Sequence, residues 1–268
     1  MERTKGSVRR PLTAVDRLTW DDLDIGAFSS KPLDDDSLRC LRYMHDVEYH
    51  TLCYLRDLLL TPAHADPTVT AFLGVWVYQE YWHGEALASV LAAHDEPHGA
   101  ERIAPMRRRL GWKDKVRPML MGAGGILGGE DFVAAHMAWG AVNEWMTQAG
   151  YSLLSRRAAH PLLSELVGRI MRQEGLHIDF YANQARERLA ASVRAQRLVR
   201  FALQRFWKPV GSGVMPEAET QFLARYLMTD EVGREAARRI DRQIDRLPGL
   251  AGLELVTTAI ADALSAAA

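Results

Sequence analysis

The sequence predicts an all-α protein whose main part is a four-helix bundle, followed by additional C-terminal helices. Four long segments have apolar residues spaced three and four positions apart, and residue patterns typical of helix starts precede them. No segment shows the period of two that a half-buried strand requires. The 268 residues, of which 48% are hydrophobic and 25% charged, suffice for one large core.

The chain divides into three predicted parts. Residues 1–33 show no sustained period and are expected to form an N-terminal arm, whose Trp20 and Phe28 dock on the bundle. Residues 34–190 contain the four periodic segments of the bundle. Residues 191–268 are predicted to form a C-terminal helical extension packed on that bundle.

Each of the four periodic segments begins at a pattern typical of a helix N-terminus. The patterns are Asp34–Asp36, Asp66 with Pro67, Gly129–Asp131 and His160 with Pro161. Short turns join the first segment to the second and the third to the fourth, whereas residues 97–128 separate the second from the third. Two antiparallel helical hairpins joined by one long crossover form a ferritin-like bundle.

Each predicted bundle helix carries a glutamate on its apolar face, where an apolar residue is expected. In chain order these are Glu48, Glu80, Glu144 and Glu174. The second and the fourth are each followed, three residues later and on the same helix face, by a histidine, His83 or His177. The sequence therefore contains two Glu-x-x-His motifs and two single glutamates on predicted core faces.

This ligand pattern predicts a metal centre. Buried carboxylates repel one another and lose their hydration, so a group of them requires a strongly cationic neighbour. Carboxylate and imidazole ligands suit iron or manganese, and one glutamate from each of two helices with Glu-x-x-His from two others is the ligand set of di-iron and di-manganese bundles. We predict two iron ions, or an iron–manganese pair, held by Glu48, Glu80, His83, Glu144, Glu174 and His177.

At these residues the sequence resembles the soluble acyl-carrier-protein desaturases, dinuclear-iron enzymes that insert a double bond into a carrier-bound fatty acyl chain. The stretch from Glu80 to Glu85, Glu-Tyr-Trp-His-Gly-Glu, is similar to the family's Glu-x-x-His-Gly-acidic signature. Thr147 matches a threonine that the family places beside its oxygen-binding face, which implies a catalytic, proton-handling role. The alternative role for Thr147 is a hydrogen bond to its own helix backbone. The resemblance covers about residues 36–190.

Two positions depart from the family pattern. The family commonly has an aspartate before the fourth-helix glutamate and an acidic residue after its histidine, whereas this chain has Gln173 and Ile178. Because carboxylates next to ligating histidines tune a metal site, we expect a divergent relative. The resemblance implies an O2-dependent oxidoreductase that removes or oxidises C–H bonds of an acyl chain. Its implied partners are acyl carrier protein, or another acyl-chain carrier, and a ferredoxin-type electron donor.

Three other interpretations use the same residues. A dinuclear-iron oxygenase that hydroxylates or N-oxygenates a small metabolite would share every ligand. A ferroxidase or iron-storage subunit would bind iron without oxidising an organic molecule. A metal-free structural bundle would pair its carboxylates with its histidines. Pocket shape, assembly size and metal content distinguish these interpretations.

Composition and local patterns constrain the partners. The formal net charge of −1 favours no nucleic-acid partner, and the lack of an apolar run of about 18 residues predicts no membrane span. Cys40 and Cys53 lie too far apart in one predicted helix to pair. We expect a cytoplasmic protein and a homodimer.

Two further sets of residues are candidates for contacts with a substrate or its carrier. Arginines at 107–109 and within 186–205 are candidate contacts for an acidic carrier protein. The candidate lining of a substrate channel is Trp76, Met137, Trp139, Trp145 and Tyr151.

Overall fold

The protein is all-helical over the residues that its computed structural model describes, which are 16–59, 61–109 and 129–265. These residues form nine α-helices and two short 3₁₀ turns, and their only β-type pairing is an isolated bridge between Ser212 and Met215. The predicted all-α class is confirmed for this part of the chain.

The helices are numbered here in chain order. They are α1 Asp35–Leu59, α2 Pro67–Ala92, α3 Gly99–Arg109, α4 Glu130–Ala158, α5 Pro161–Ala191, α6 Val193–Phe206, α7 Glu217–Met228, α8 Glu231–Asp245 and α9 Leu255–Ser265. One 3₁₀ turn, Ile25–Ser29, precedes α1, and the other, Pro62–Ala65, connects α1 to α2. The four long helices α1, α2, α4 and α5 begin at the predicted positions.

Local side-chain contacts explain two of these starts. The Asp66 carboxylate accepts hydrogen bonds from the backbone N–H groups of Thr68 and Val69, at 2.9 and 3.1 Å, and caps α2. His160 caps α5 in the same way, and a proline occupies the first turn of both helices. Proline suits this position because its missing N–H would have no partner inside the helix.

Two helical hairpins form the centre of the fold. Helix α1 packs along α2, and α4 packs along α5, and each pair is joined by a short connection that makes its helices antiparallel. The hairpins meet where α1 contacts α4 and α2 contacts α5. This packing is compatible with a four-helix bundle.

The C-terminal helices cover one side of these hairpins. Helix α6 packs on α4 and α5, while α7 contacts α1 and α4, and α8 contacts α4. Helix α9 packs on α7 and α8. None of the described helices is long and apolar enough to span a bilayer.

The predicted crossover contains a helix of its own. Helix α3 occupies Gly99–Arg109 and packs on α1 and α2. Residues 110–128, like the side chains of the arginines at 107–109, lie outside the described part of the chain.

The described part of the N-terminal arm, from residue 16, lies on the hairpins. Phe28 is fully buried and stacks on the ring of His160, with a centroid distance of 4.6 Å. Trp20 packs against Trp82 at 6.3 Å. These contacts are the predicted docking of Trp20 and Phe28. Cys40 and Cys53 both lie in α1 and are free thiols.

A glycine in α4 permits the close approach of α4 and α5. A Cβ added at Gly140 would lie 2.3 Å from a ring carbon of the buried Tyr181. We expect Gly140→Ala to lower the free energy of unfolding by about 1–3 kcal/mol, because it overpacks the core. Urea denaturation followed by circular dichroism measures this change.

The matched control is Gly74→Ala in α2, since no atom lies within 4 Å of the added Cβ there. We expect this variant to gain up to about 1 kcal/mol, because alanine is the better helix former. Equal stabilities of the two variants would contradict the observed packing of α4 on α5.

Candidate metal centre

The six predicted ligands lie together in the interior, where the two hairpins meet. Each is no more than 5% exposed. Helix α1 contributes Glu48, α4 contributes Glu144, and α2 and α5 contribute one glutamate and one histidine each. The three-residue spacing within each Glu-x-x-His motif places both side chains on the same helix face, which points into the bundle.

These residues form two groups that could each hold a metal ion. Glu48 and His83 belong to the first group, and Glu144 and His177 belong to the second. Glu80 and Glu174 belong to both groups, and the ligand atoms of each group lie within 4.8 Å of one another. The shared residues are therefore the glutamates of the two Glu-x-x-His motifs.

Both histidines direct Nδ1 toward the carboxylates. Nδ1 of His83 lies 3.2 Å from Oε1 of Glu174 and 3.9 Å from Oε2 of Glu48. Nδ1 of His177 lies 3.0 Å from Oε2 of Glu174 and 3.2 Å from Oε1 of Glu80. The centroids of the two imidazole rings are 5.8 Å apart.

Several buried polar atoms at this centre make no hydrogen bond within the described residues. They are Oε2 of Glu48, Oε1 of Glu80, Oε1 of Glu174 and Nδ1 of His83. Buried polar atoms are normally hydrogen-bonded, so converging carboxylate oxygens and an imidazole nitrogen without such partners suit a site that could hold a cation. The donor set of oxygen and imidazole nitrogen fits iron or manganese.

The pKa values of the buried glutamates also suit a site that could hold cations. Burial raises the pKa of Glu80 well above its usual value, and the nearby charges of Glu48 and Glu174 raise it further. Burial and the charge of Glu174 do the same to the pKa of Glu144. Burial also opposes ionisation of Glu174, but the close approach of His177 and His83 outweighs it and lowers the pKa of Glu174. Without cations the raised pKa values favour protons on Glu80 and Glu144.

Other residues near Glu48 are engaged elsewhere. Nδ1 of His45 lies 2.9 Å from Oδ1 of Asp46, whose carboxylate also accepts two hydrogen bonds from Arg102 of α3. The backbone N–H of Gly99 donates to Nε2 of His45. Glu48 is therefore the residue of this segment that reaches the ligand groups.

No protein-family model, curated protein or solved structure matches this chain.

Gly84 and Glu85, the two residues that follow His83, connect α2 to α1 beside the centre. A Cβ on Gly84 would lie 2.7 Å from the ring of Tyr49, and the Tyr49 hydroxyl donates to the carboxylate of Glu85. Gly84 and Glu85 thus contact Tyr49 of α1, the residue next to Glu48.

Aromatic donors contact the two glutamates that the ligand groups do not share. The indole Nε1 of Trp76 donates to Oε1 of Glu144 at 2.8 Å, and the Tyr151 hydroxyl donates to Oε1 of Glu48 at 2.5 Å. We predicted Trp76 and Tyr151 only as channel-lining residues. These hydrogen bonds connect different helices, so helix periodicity gave no signal for them.

Glutamine side chains contact the far nitrogens of both histidines. Nε2 of His83 lies 3.0 Å from Oε1 of Gln173, and Nε2 of His177 lies 2.9 Å from Oε1 of Gln79. The sequence does contain a signal for this pair, because a glutamine directly precedes the glutamate in both Glu-x-x-His motifs. Gln173, noted above only as a departure from the family pattern, thus contacts a predicted ligand.

An apolar pocket lies next to the first ligand group. Glu48, Thr147 and Tyr151 are among its lining residues, and its surface is almost wholly apolar. Helices α1, α4, α7 and α9 form its walls together with Pro209 and Val210. The predicted catalytic residue Thr147 therefore lies in the same pocket as the predicted ligand Glu48.

One of the five residues predicted to line a substrate channel lines this pocket. Tyr151 lines this pocket, but Trp76, Met137, Trp139 and Trp145 do not. Met137 is buried in the hydrophobic core, and Trp76 donates to Glu144. Helices α7 and α9 supply much of the lining: α7 packs on α1 and α4, which are distant in sequence, and α9 packs on α7.

The carboxylates with raised pKa values predict a pH-dependent stability in chelator-treated protein. Above the usual glutamate pKa of 4.5, the folded state keeps protons on Glu80 and Glu144 that the unfolded state releases. Stability should therefore fall as pH rises through this range. Thermal unfolding of chelator-treated protein at about pH 5–8 measures the fall, and added Mn²⁺ should reverse it at neutral pH.

The variant Glu80→Gln plus Glu144→Gln serves as the comparison for this measurement. It removes both carboxylates, so its stability should change less with pH. The same pH dependence in parent and variant would show that these carboxylates do not repel in the folded protein.

Proposed function

We propose that this protein is a ferritin-like, dinuclear-metal oxidoreductase that uses O2 to oxidise C–H bonds of an apolar chain. The observation that carries the proposal is the pair of ligand groups that share Glu80 and Glu174. Two shared carboxylates would suit two ions, because Glu80 and Glu174 could each help to hold both. Iron is the proposed metal, with an iron–manganese pair as the other composition that the ligands suit.

The arrangement of the ligand helices supports the ferritin-like assignment. The ligands come from two helical hairpins, one on each side of the crossover, with one Glu-x-x-His motif in each hairpin. This is the ligand arrangement of dinuclear carboxylate bundles. The resemblance of residues Glu80–Glu85 to the desaturase signature adds to this support.

The chain's own residues determine what such a centre could oxidise. When bound, a reduced iron pair would supply the capacity to activate O2. Glu48 both lines the apolar pocket and belongs to the first ligand group, so a substrate in that pocket would lie beside this group. Thr147 and Tyr151 also line the pocket, and their hydroxyl groups could hold or transfer a proton there. The burial of all six ligands excludes bulk water.

The apolar pocket favours an acyl chain as substrate. For desaturation, the substrate loses two hydrogens, while O2 with two electrons and two protons becomes two water molecules. The electrons would come from a ferredoxin-type donor and the chain would arrive on acyl carrier protein or a similar carrier, as the desaturase resemblance implies. A cytoplasmic location and a homodimer stay predictions.

The same observations weigh against the other interpretations. An iron-storage subunit needs a polar route for hydrated ions, whereas the pocket beside Glu48 is almost wholly apolar. A metal-free bundle would leave the four ligand atoms without partners in a buried site. A small polar metabolite would find few hydrogen-bonding groups in the pocket.

Metal content tests the proposal directly. Protein produced with iron and manganese should contain about two metal ions per chain by plasma mass spectrometry. Glu80→Ala plus Glu174→Ala should contain none, because it removes both shared ligands. The control Glu101→Ala plus Glu165→Ala removes two exposed carboxylates and should keep the metal. A metal-free parent, or a Glu80/Glu174 variant that retains its ions, would refute the dinuclear centre.

Filling the pocket tests the proposed substrate. Ala224 of α7 lines the pocket, and Ala224→Phe should reduce turnover of a long acyl chain on acyl carrier protein by at least about ten-fold. Metal content should not change. The assay supplies ferredoxin, its reductase and O2, and detects the oxidised chain by mass spectrometry.

Ala218→Phe, on the exposed side of the same helix, is the matched control and should retain parental turnover. If Ala224→Phe also retains it, the substrate does not bind in this pocket.

A further inference from the structure

The two Glu-x-x-His motifs share a third residue. Gln79 precedes Glu80 and Gln173 precedes Glu174, so both motifs read Gln-Glu-x-x-His. Within each motif the glutamine and the histidine are four residues apart and lie on the same helix face. The close contacts nevertheless cross between the hairpins. Gln173 of α5 contacts His83 of α2, and Gln79 of α2 contacts His177 of α5.

The contacts of Gln173 determine the orientation of its amide. Its Nε2 donates to the backbone carbonyl of Asp16 at 2.9 Å. Because a carbonyl can only accept, the amide nitrogen belongs on that side and the amide oxygen faces His83. The oxygen in turn can only accept, so Nε2 of His83 carries the hydrogen and Nδ1 keeps its lone pair for a metal.

The contact between Gln79 and His177 has a similar distance and is more deeply buried. Gln79 and His177 are each 1% exposed, and the distance from Oε1 to Nε2 is 2.9 Å. This arrangement directs Nδ1 of His177 toward Glu174 and Glu80, as Gln173 directs Nδ1 of His83 toward Glu174. Each half of the centre is thus oriented by a glutamine from the opposite hairpin.

We propose that Gln79 and Gln173 are positioning residues of the dinuclear site, and that their lack of charge makes the metal pair easier to reduce than carboxylates in their place would. This inference rests on the proposed function and concerns how the same site is tuned. It assigns a role to the position at which the chain departs from the desaturase pattern.

The electronic part follows from the charge of the acceptor. A carboxylate that accepts a hydrogen bond from a ligating imidazole increases the basicity of that ligand and stabilises the more oxidised metal. A neutral amide makes a weaker hydrogen bond to the same N–H group. The four ligand carboxylates also match the four positive charges of two divalent ions, so a further carboxylate would leave the buried site with net negative charge.

Metal affinity tests the positioning role. Gln173→Leu and Gln79→Leu remove the acceptor, and we expect each to weaken Mn²⁺ binding about 10–100-fold in competition with a chelator. Gln148→Leu is the matched control, since Gln148 lies in α4 of the same bundle and donates to the backbone carbonyl of Met171. It should bind Mn²⁺ as the parent does.

The midpoint potential of the iron-loaded protein tests the electronic role. Gln173→Glu and Gln79→Glu keep an acceptor, so we expect them to bind metal but to shift the potential to more negative values. A spectroelectrochemical titration measures the shift, and a role limited to packing would not produce it. Because Gln173 is only half-buried, its variants should fold even if replacement of the buried Gln79 prevents folding.

The outcomes separate this inference from the proposed function. A parent that binds no metal would overturn both. Metal binding in the parent with unchanged affinity in both leucine variants would overturn the positioning role alone. Weakened binding in the leucine variants with an unchanged potential in the glutamate variants would overturn the electronic role.

Discussion

Charge balance in the core is the constraint on which the rest of this structure depends. Four carboxylates and two imidazoles converge from four helices into a region with almost no access to water. Burial and mutual repulsion raise the pKa of Glu80 and of Glu144, so the folded protein needs either protons or cations at its centre. The close packing of α4 on α5 at Gly140, and of α2 on α1 at Gly84, brings the opposing carboxylates together.

The two ligand groups have nearly equivalent ligands but different surroundings. The group containing Glu48 borders the apolar pocket through Tyr151. The group containing Glu144 is closed by Trp76, which also packs edge-on against Tyr181 at 6.0 Å. Access from the described pocket is therefore one-sided. An organic substrate in that pocket would approach the Glu48 side, while aromatic side chains pack around the Glu144 side.

Local patterns in the sequence were sufficient to predict the starts of the four long helices and the six candidate ligands that the structure brings together. Helix starts depend on caps and prolines next to them in sequence, and ligand positions follow from a polar residue on an apolar helix face. The pocket could not be predicted in this way, because α7 lines it by packing on the distant helices α1 and α4, and α9 lines it by packing on α7. The Tyr151–Glu48 hydrogen bond likewise joins residues 103 positions apart. From the sequence, Gln173 was only a departure from the family's acidic residue. Its contact with His83 could not be predicted, because His83 belongs to the other hairpin.

The glutamine–histidine contacts between the hairpins also determine when the centre can form during synthesis and folding. Segments near residues 16, 79, 83, 173 and 177 all take part, so most of the protein lies between the first and the last of them. A nascent chain that ends before α5 contains Glu48, Glu80 and His83 but lacks Glu174 and the amide that orients His83. Synthesis would therefore precede docking of the hairpins, and ion loading would come last. Because each ligand group contains residues of both hairpins, bound ions would stabilise the contact between two hairpins that leave the ribosome one after the other.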